Sequence, residues 1–223
     1  TGKSLLVLSD KDIENGQTTI PAIMATGAVH HHLIKVGQRT ESNIIVETAT
    51  ARDPHHFAVL FGYGATAVFP YLAYEVIEDM RRTKELNQDI STNKYIANFR
   101  KGINKGLFKI LSKMGISTIT SYRGSQLFEA VGLSSEIVNL CFAGTPTRLE
   151  GTNFDHLELD QRRLAWEAFN PRKALKQGVC LIRPWREYHA FNLMWLIRFV
   201  KPFKKMTKPL TTNLKRSLTI VLQ

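Results

Sequence analysis

The sequence predicts an α/β fold, a parallel sheet of alternating strand–helix units, and three observations lead there. Short apolar runs at Leu5–Leu8, Ile44–Glu47 and Thr66–Phe69 alternate with longer segments at Ala22–Val36, His55–Tyr63 and Tyr71–Arg82. These three alternations are joined by brief connections, which calls for parallel strands with right-handed crossovers. From Tyr95 onward an apolar stripe repeats every three or four residues, the period of an amphipathic helix. Helix, strand and helix with short links is the grammar of a layered α/β domain. The chain has 223 residues and 43% hydrophobic content, enough to bury a core.

Each element has a local reason. Leu5–Leu8 is bounded by Ser9-Asp10 and reads as a buried parallel strand. Asp12–Thr19 is a polar turn around Asn15-Gly16. Pro21 can open the helix that Gly37 stops, and Pro54 precedes the helix ending near Tyr63. Tyr71–Arg82 sets Leu72, Val76, Ile77 and Met80 on one side. Lys84–Asn93 is polar and reads as a loop that marks a joint.

The stretch from Tyr95 to Gly132 organises the second half. Tyr95, Phe99, Ile103, Leu107, Ile110, Leu111 and Met114 form the helical stripe, with Lys101, Lys105, Lys109 and Lys113 on another face. Gly115 supplies the left-handed stop. Ile116–Tyr122 is β-branched and aromatic and is expected to be a strand; Ser125–Val131 is expected to be a short helix ending at Gly132. Ser134 can cap a helix through Leu140, which Gly144-Thr145-Pro146 breaks. Asp155 and Glu158 make a capping-box-like pair before a surface-lying helix.

Charge is unevenly placed. Residues 1–160 carry 16 Lys+Arg against 17 Asp+Glu, whereas 161–223 carry 14 against 2. A basic tail raises nucleic acid or an anionic membrane as a partner. No apolar run approaches the ~20 residues of a membrane span. The first residues, TGKSLLVLSD, open into an apolar strand without Met or a charged leader, which suggests an excised piece. Cys141 and Cys180 are too few and too far apart for a disulfide framework or a zinc site, so a reducing cytoplasm is expected.

The candidates for chemistry each have a structural counterpart. His30-His31-His32 lies in mid-helix, where neighbours point about 100° apart, so three rings do not readily face one ion. With His55-His56 they could build a metal site; the alternative is that the rings bond to backbone or line a polar channel. Gly62-Tyr63-Gly64-Ala65 faintly resembles a phosphate cradle but suits a tight turn better. Ser121-Tyr122-Arg123-Gly124, between the expected strand and helix, is where open α/β sheets bind ligands. Arg123 there could hold a carboxylate or phosphate, or close a domain contact. Cys141, beside Phe142, reads as a small buried apolar residue. No Ser/His/Asp or Cys/His pattern stands out, and no residue is assigned as catalytic, cofactor-binding or metal-binding.

Three long strings go further: IPAIMATGAVHHHLIKVGQRT, HHFAVLFGYGATAVFPYLAYE and KGLFKILSKMGISTITSYRGSQLFEAVGL. In order and spacing they closely resemble the central domain of the glutamate synthase large (alpha) subunit, over roughly residues 1–192. That family makes two glutamates from glutamine and 2-oxoglutarate. The resemblance implies that residues 1–150 are the C-terminal part of the central domain and 151–192 a linker and the start of the flavin-binding domain. It implies glutamate biosynthesis and ammonia assimilation, with flavin mononucleotide (FMN) and an iron–sulfur cluster in the full-length enzyme and none in this chain. It also implies a connector enclosing the path of ammonia between two active sites that lie elsewhere. The partners implied are the amidotransferase and flavin-binding domains and the small electron-donating subunit, with no nucleic acid and no membrane.

The chain departs from the family near its end. Trp185-Arg186 stands where the family has two glycines before Glu-Tyr-His, and after Asn192 the resemblance stops. Leu193-Met194-Trp195-Leu196-Ile197 can be encoded CTG ATG TGG TTG ATT; read one base earlier, after a C, this gives Pro-Asp-Val-Val-Asp, a family-like continuation. Residues 193–223 are therefore expected to be an out-of-frame basic tail, partly helical or without fixed structure. The alternative function is a stand-alone basic module holding nucleic acid or membrane through residues 161–223, and a third is a free-standing flavin enzyme.

Overall fold

Three parallel strands carry the first half of the computed structural model, which describes residues 4–170. They are β1 (Leu5–Ser9), β2 (Asn43–Glu47) and β3 (Ala67–Phe69), hydrogen-bonded in the order β1-β2-β3. Side chains alternate across a strand. Leu6, Leu8, Ile44, Val46 and Val68 accordingly share one face and pack into the main apolar cluster. The helices α1 (Ala22–Lys35) and α2 (Pro54–Gly62) cover that face through Leu33, Phe57, Ala58 and Leu60. The expected α/β class and the parallel pairing are both present.

Local chemistry sets the helix ends. Pro21 precedes α1, and beyond its end Gly37 takes φ 72°, where its amide bonds to the Ile34 carbonyl and the Gln38 amide to Leu33. That pairing satisfies carbonyls the helix leaves free. Asp53 caps α2 by accepting the amides of His55 (2.8 Å) and His56 (3.2 Å), with Pro54 in the first turn. Helix α3 (Tyr71–Arg82) spans the expected residues, yet none of them is fully buried.

Helix α4 (Thr92–Met114) is capped by Ser91 and stopped by Gly115 at φ 69°. Of its stripe, Ile103, Leu107 and Leu111 are buried and Phe99 and Ile110 partly so, while Met114 remains exposed. Gly106 lies so close to the Pro54 ring that a Cβ would collide with it. The expected joint at Lys84–Asn93 is a tied loop. Arg81 donates to the carbonyls of Ile90 (3.0 Å) and Gln88 (3.2 Å), and the Tyr95 hydroxyl donates to Asn87 (3.1 Å).

The next segment corrects the sequence reading. Ile116–Tyr122 is not a strand; it contains the single-turn helix α5 (Ile119–Tyr122), capped by the Thr118 hydroxyl. Its amides pair locally, Tyr122 to Thr118 and Arg123 to Ile119, and Tyr122 drops into the main cluster. Local pairing and one aromatic anchor outweighed β-propensity. Ser125–Val131 is not a helix either. Gly124 (φ 68°) and Gln126 (φ 54°) take left-handed conformations that a helix excludes, and Phe128 stacks on Tyr63 at 5.5 Å. The chain then enters β4 (Ala130–Leu133), with Gly132 inside it.

β4 pairs in parallel with β5 (Thr147–Thr152), a strand the sequence did not signal. Between them α6 (Ser135–Cys141) is capped by Ser134 as expected. A second cluster forms from Met24, Ala130, Ile137, Val138, Cys141 and Phe142. α6 meets α1 at Gly27, where a Cβ would strike the Cys141 carbonyl oxygen. The final described helix, α7 (Phe154–Phe169), has no buried residue and lies on the surface as expected. Its cap is Asn153, which accepts the His156 amide at 3.0 Å, and not Asp155. Residues 171–223, including Cys180, Trp185-Arg186 and the expected out-of-frame tail, lie outside the described residues.

Candidate functional site

Two polar centres flank the first sheet, and each is built from segments far apart in sequence. The first gathers around Arg39, in the 3-10 turn Arg39–Glu41 between α1 and β2. Its guanidinium donates through Nε to His30 Nδ1 (2.8 Å) and through its two terminal nitrogens to the carbonyls of Ser42 (2.6 Å) and Gly64 (2.8 Å). One side chain thus ties α1, the entry to β2 and the turn after α2. Gly64 has φ 110° and lies against the His30 ring, leaving no room for a Cβ. Only glycine meets both requirements.

His30 is an acceptor here and must be neutral to act as one. Burial first, then the charges of Arg39, His31 and Arg123, lower its pKa to about 4. Burial likewise lowers His31, whose Nε2 has no hydrogen-bond partner. The rings of His30 and His31 meet edge to face at 5.2 Å, while His32 points to solvent. The three histidines therefore occupy three environments. His55 and His56 serve α2 through their backbone amides, and His56 Nδ1 also accepts the Arg52 amide at 3.3 Å. Among the described residues, no group of three or more His, Cys, Asp or Glu is placed to share a metal ion.

The remaining candidates fall around this centre. In Gly62-Tyr63-Gly64-Ala65, the amides of Gly64 and Ala65 are bonded to Phe61 and Leu60, so the segment is the C-terminal stop of α2. Arg123 follows a helical turn, not a strand; its charge helps lower the pKa of His30 and, after burial, of Arg39, and its Nε is buried without a partner. The adjacent Gly124 amide bonds to the Gly62 carbonyl at 2.9 Å. Cys141 is buried, and burial raises its thiol pKa. It borders an apolar groove of about 390 Å³ with Pro21, Met24, Leu140, Phe154 and Leu157.

The second centre was missed in the sequence. It sits past the C-terminal ends of the strands, where open α/β sheets place ligands. Asp10 follows β1 and accepts the Thr48 hydroxyl and the Ala49 amide (2.9 Å), both just past β2. The Tyr71 hydroxyl donates to the Asp10 carbonyl at 3.3 Å. Burial, then Asp10, Glu75 and Glu47, raises the Tyr71 pKa to about 12. An acidic residue directly after an apolar parallel strand was the available signal. In the structure both Asp10 carboxylate oxygens are already engaged.

The fit to a cofactor can be tested on these residues. An iron–sulfur cluster is held by four cysteine thiolates, whereas the chain has two cysteines and Cys141 is buried. The amides of Tyr63, Gly64 and Ala65, which a phosphate cradle would need free, are spent on Val59, Phe61 and Leu60. Cys141 alone does not make a cluster site, and this turn has no free amide to offer a phosphate. No described helix is long and apolar enough to cross a membrane.

Comparison with known proteins gives a consistent picture. Residues 1–134 match the family model described as glutamate synthase central domain. The chain is 42% identical over 220 residues to the glutamate synthase [NADPH] large chain of Bacillus subtilis, covering 93% of this chain and 14% of that protein. It is 39% identical to the glutamate synthase [NADH] of Saccharomyces cerevisiae, covering 84% of the chain and 9% of that protein. It is 42% identical to the ferredoxin-dependent glutamate synthase of Pyropia yezoensis, covering 86% and 13%. The Bacillus match is long enough to reach into residues 193–223. In each case the chain spans a small fraction of the relative's length.

Proposed function

This chain belongs to the glutamate synthase family, and we propose that it acts as a structural connector within a large subunit whose active sites lie in other domains. The observation that carries the reading is how the polar side chains are used. Each of the three guanidinium nitrogens of Arg39 donates within the fold, to His30, Ser42 and Gly64, and both carboxylate oxygens of Asp10 accept, from Thr48 and Ala49. Groups that elsewhere perform acid–base chemistry here fix the relative positions of helices and turns. A rigid wall between two reaction centres needs such ties more than it needs a nucleophile.

In this role the chain serves glutamate biosynthesis by helping to enclose the route of ammonia from an amidotransferase domain to a flavin-binding domain. FMN and the iron–sulfur cluster are held by the parent enzyme outside these residues, and the setting is the cytoplasm. The reading is tested by assaying the purified 223-residue chain for glutamine hydrolysis and for a flavin absorbance band. Neither is expected; either one, carried by the chain alone, overturns the connector role. Salt-dependent DNA binding that vanishes on removal of residues 161–223 would favour a basic binding module instead.

A further inference from the structure

We infer that Arg39 and Arg123 frame a binding site for a small oxyanion, phosphate or a free carboxylate, beside the turn that ends α2. Two hydrogen bonds bring both arginines to that turn. Arg39, in the segment after α1, donates to the Gly64 carbonyl at 2.8 Å. Arg123, directly after α5, is placed by its neighbour Gly124, whose amide donates to the Gly62 carbonyl at 2.9 Å. Both arginines are partly buried, and the charge of Arg123 acts on Arg39 and on His30.

No described carboxylate answers these two charges. Arg39 donates to neutral His30 and to two backbone carbonyls. The Arg123 side chain has neither a hydrogen bond nor an ion pair with a described residue. The arginines that do have carboxylate partners, Arg82, Arg148, Arg162 and Arg163, are all exposed, where a partner contributes least. A charge without a counter-ion costs more as it is withdrawn from water. The pair that lacks a carboxylate is therefore the pair with most need of an anion.

A second observation falls at the same place. Among the described residues, two buried side-chain polar atoms lack a hydrogen-bond partner, Arg123 Nε and His31 Nε2. The His31 ring meets that of His30, which accepts from Arg39. Buried polar atoms are nearly always paired, so an orphan points to a partner from outside the chain, water or an ion. Water would satisfy an orphaned atom but brings no negative charge to two guanidinium groups. An oxyanion does both. The planar guanidinium edge offers parallel N–H groups spaced for two oxygens of one carboxylate or phosphate. Chloride, a single atom, cannot use that fork.

The test is thermal unfolding of the 223-residue chain at neutral pH in sodium phosphate, sodium acetate and sodium chloride of equal ionic strength. With a dissociation constant of ~1 mM, about 10 mM phosphate should raise Tm by ~3–6 °C over chloride. A rise with phosphate alone assigns the site to phosphate; a rise with acetate assigns it to carboxylates as well. Arg123→Gln should abolish the rise. The basic residues of 171–223 are present in both proteins and do not contribute to that difference. In chloride this variant should unfold at or above the wild-type temperature, because it removes a charge that has no partner. Arg123→Lys keeps the charge without the fork and should lose most of the rise; it carries the comparison if Arg123→Gln does not fold. An equal rise in variant and wild type overturns the inference, as does the absence of a rise with either oxyanion. Binding is read without a catalytic assay, so this inference and the connector role can fail separately.

Discussion

The β1–β2–β3 half and the β4–β5 half of the described structure are held together in different ways. In the first, helices of 14, 9 and 23 residues close on a twelve-residue buried cluster. In the second, β4, α6 and β5 run to four, seven and six residues around a cluster of six. Elements that short do not form on their own propensity; they exist because neighbours bury them. The first half should therefore depend on individual core residues, and the second on its seam with α1. Core truncation gives the largest expected effect. Ile44 and Ile137 are both 0% exposed, one in each cluster. Ile44→Ala should cost toward the upper end of ~2–5 kcal/mol and Ile137→Ala toward the lower, since the smaller cluster can collapse around the cavity. Urea unfolding of the two variants measures the difference; equal costs would erase the distinction.

The seam comes next. A Cβ at Gly27 would overlap the Cys141 carbonyl, which is backbone and cannot rotate away. Gly27→Ala should cost about 1–3 kcal/mol and raise amide exchange in α6, β4 and β5 while β2 keeps its protection. Uniform loss of protection across both halves would show that they unfold as one unit.

Acid should act on the first half before the second. His30 has a folded pKa of about 4 against an ordinary value of 6.5, so between those values the unfolded chain binds more protons. Stability from this site is then complete above pH 6.5 and is lost as pH falls toward 4. The shift sets a ceiling of roughly 3 kcal/mol, reduced to about 1–2 by partial exposure. Protonated His30 can no longer accept from Arg39, so the tie among α1, Ser42 and Gly64 opens. Thermal unfolding from pH 7 to 4 should show a slope that His30→Gln flattens.

The same division explains what could be read in the sequence. Helices α1, α2, α3 and α4 were legible because their apolar periods run for several turns and Pro21, Pro54, Gly37 and Gly115 mark their ends. From Ile116 to Thr152 the reading failed at three places. Ile116–Tyr122 has strand-like residues, but Thr118 caps a turn and Tyr122 is drawn into the core. Ser125–Val131 has helix-compatible residues, but left-handed Gly124 and Gln126 set it straight. Thr147–Thr152 carries no apolar alternation, because β5 is mostly exposed and exists through pairing with β4. At the polar centres, single residues such as His30 were visible as candidates. Their partners were not, since Arg39 and Gly64 approach His30 only through the folded chain. Asp10 looked like a strand boundary for the same reason.

The smallest effect tests the end of the second half, where sequence and structure name different caps for α7. Asp155 with Glu158 looked like a capping pair, yet it is the Asn153 side chain that accepts the His156 amide. Asn153→Ala should therefore cost about 1 kcal/mol of local helix stability. Asp155→Ala should cost only a few tenths, through loss of a negative charge in the first turn. No residue of α7 is fully buried, and only Phe154 and Leu157 of its first turn rest against the second cluster, so fraying of its start moves a global unfolding curve little. The readout is amide exchange from His156 to Asp160. Faster exchange in Asn153→Ala than in Asp155→Ala assigns the cap to Asn153, and the reverse order returns it to the pair suggested by sequence.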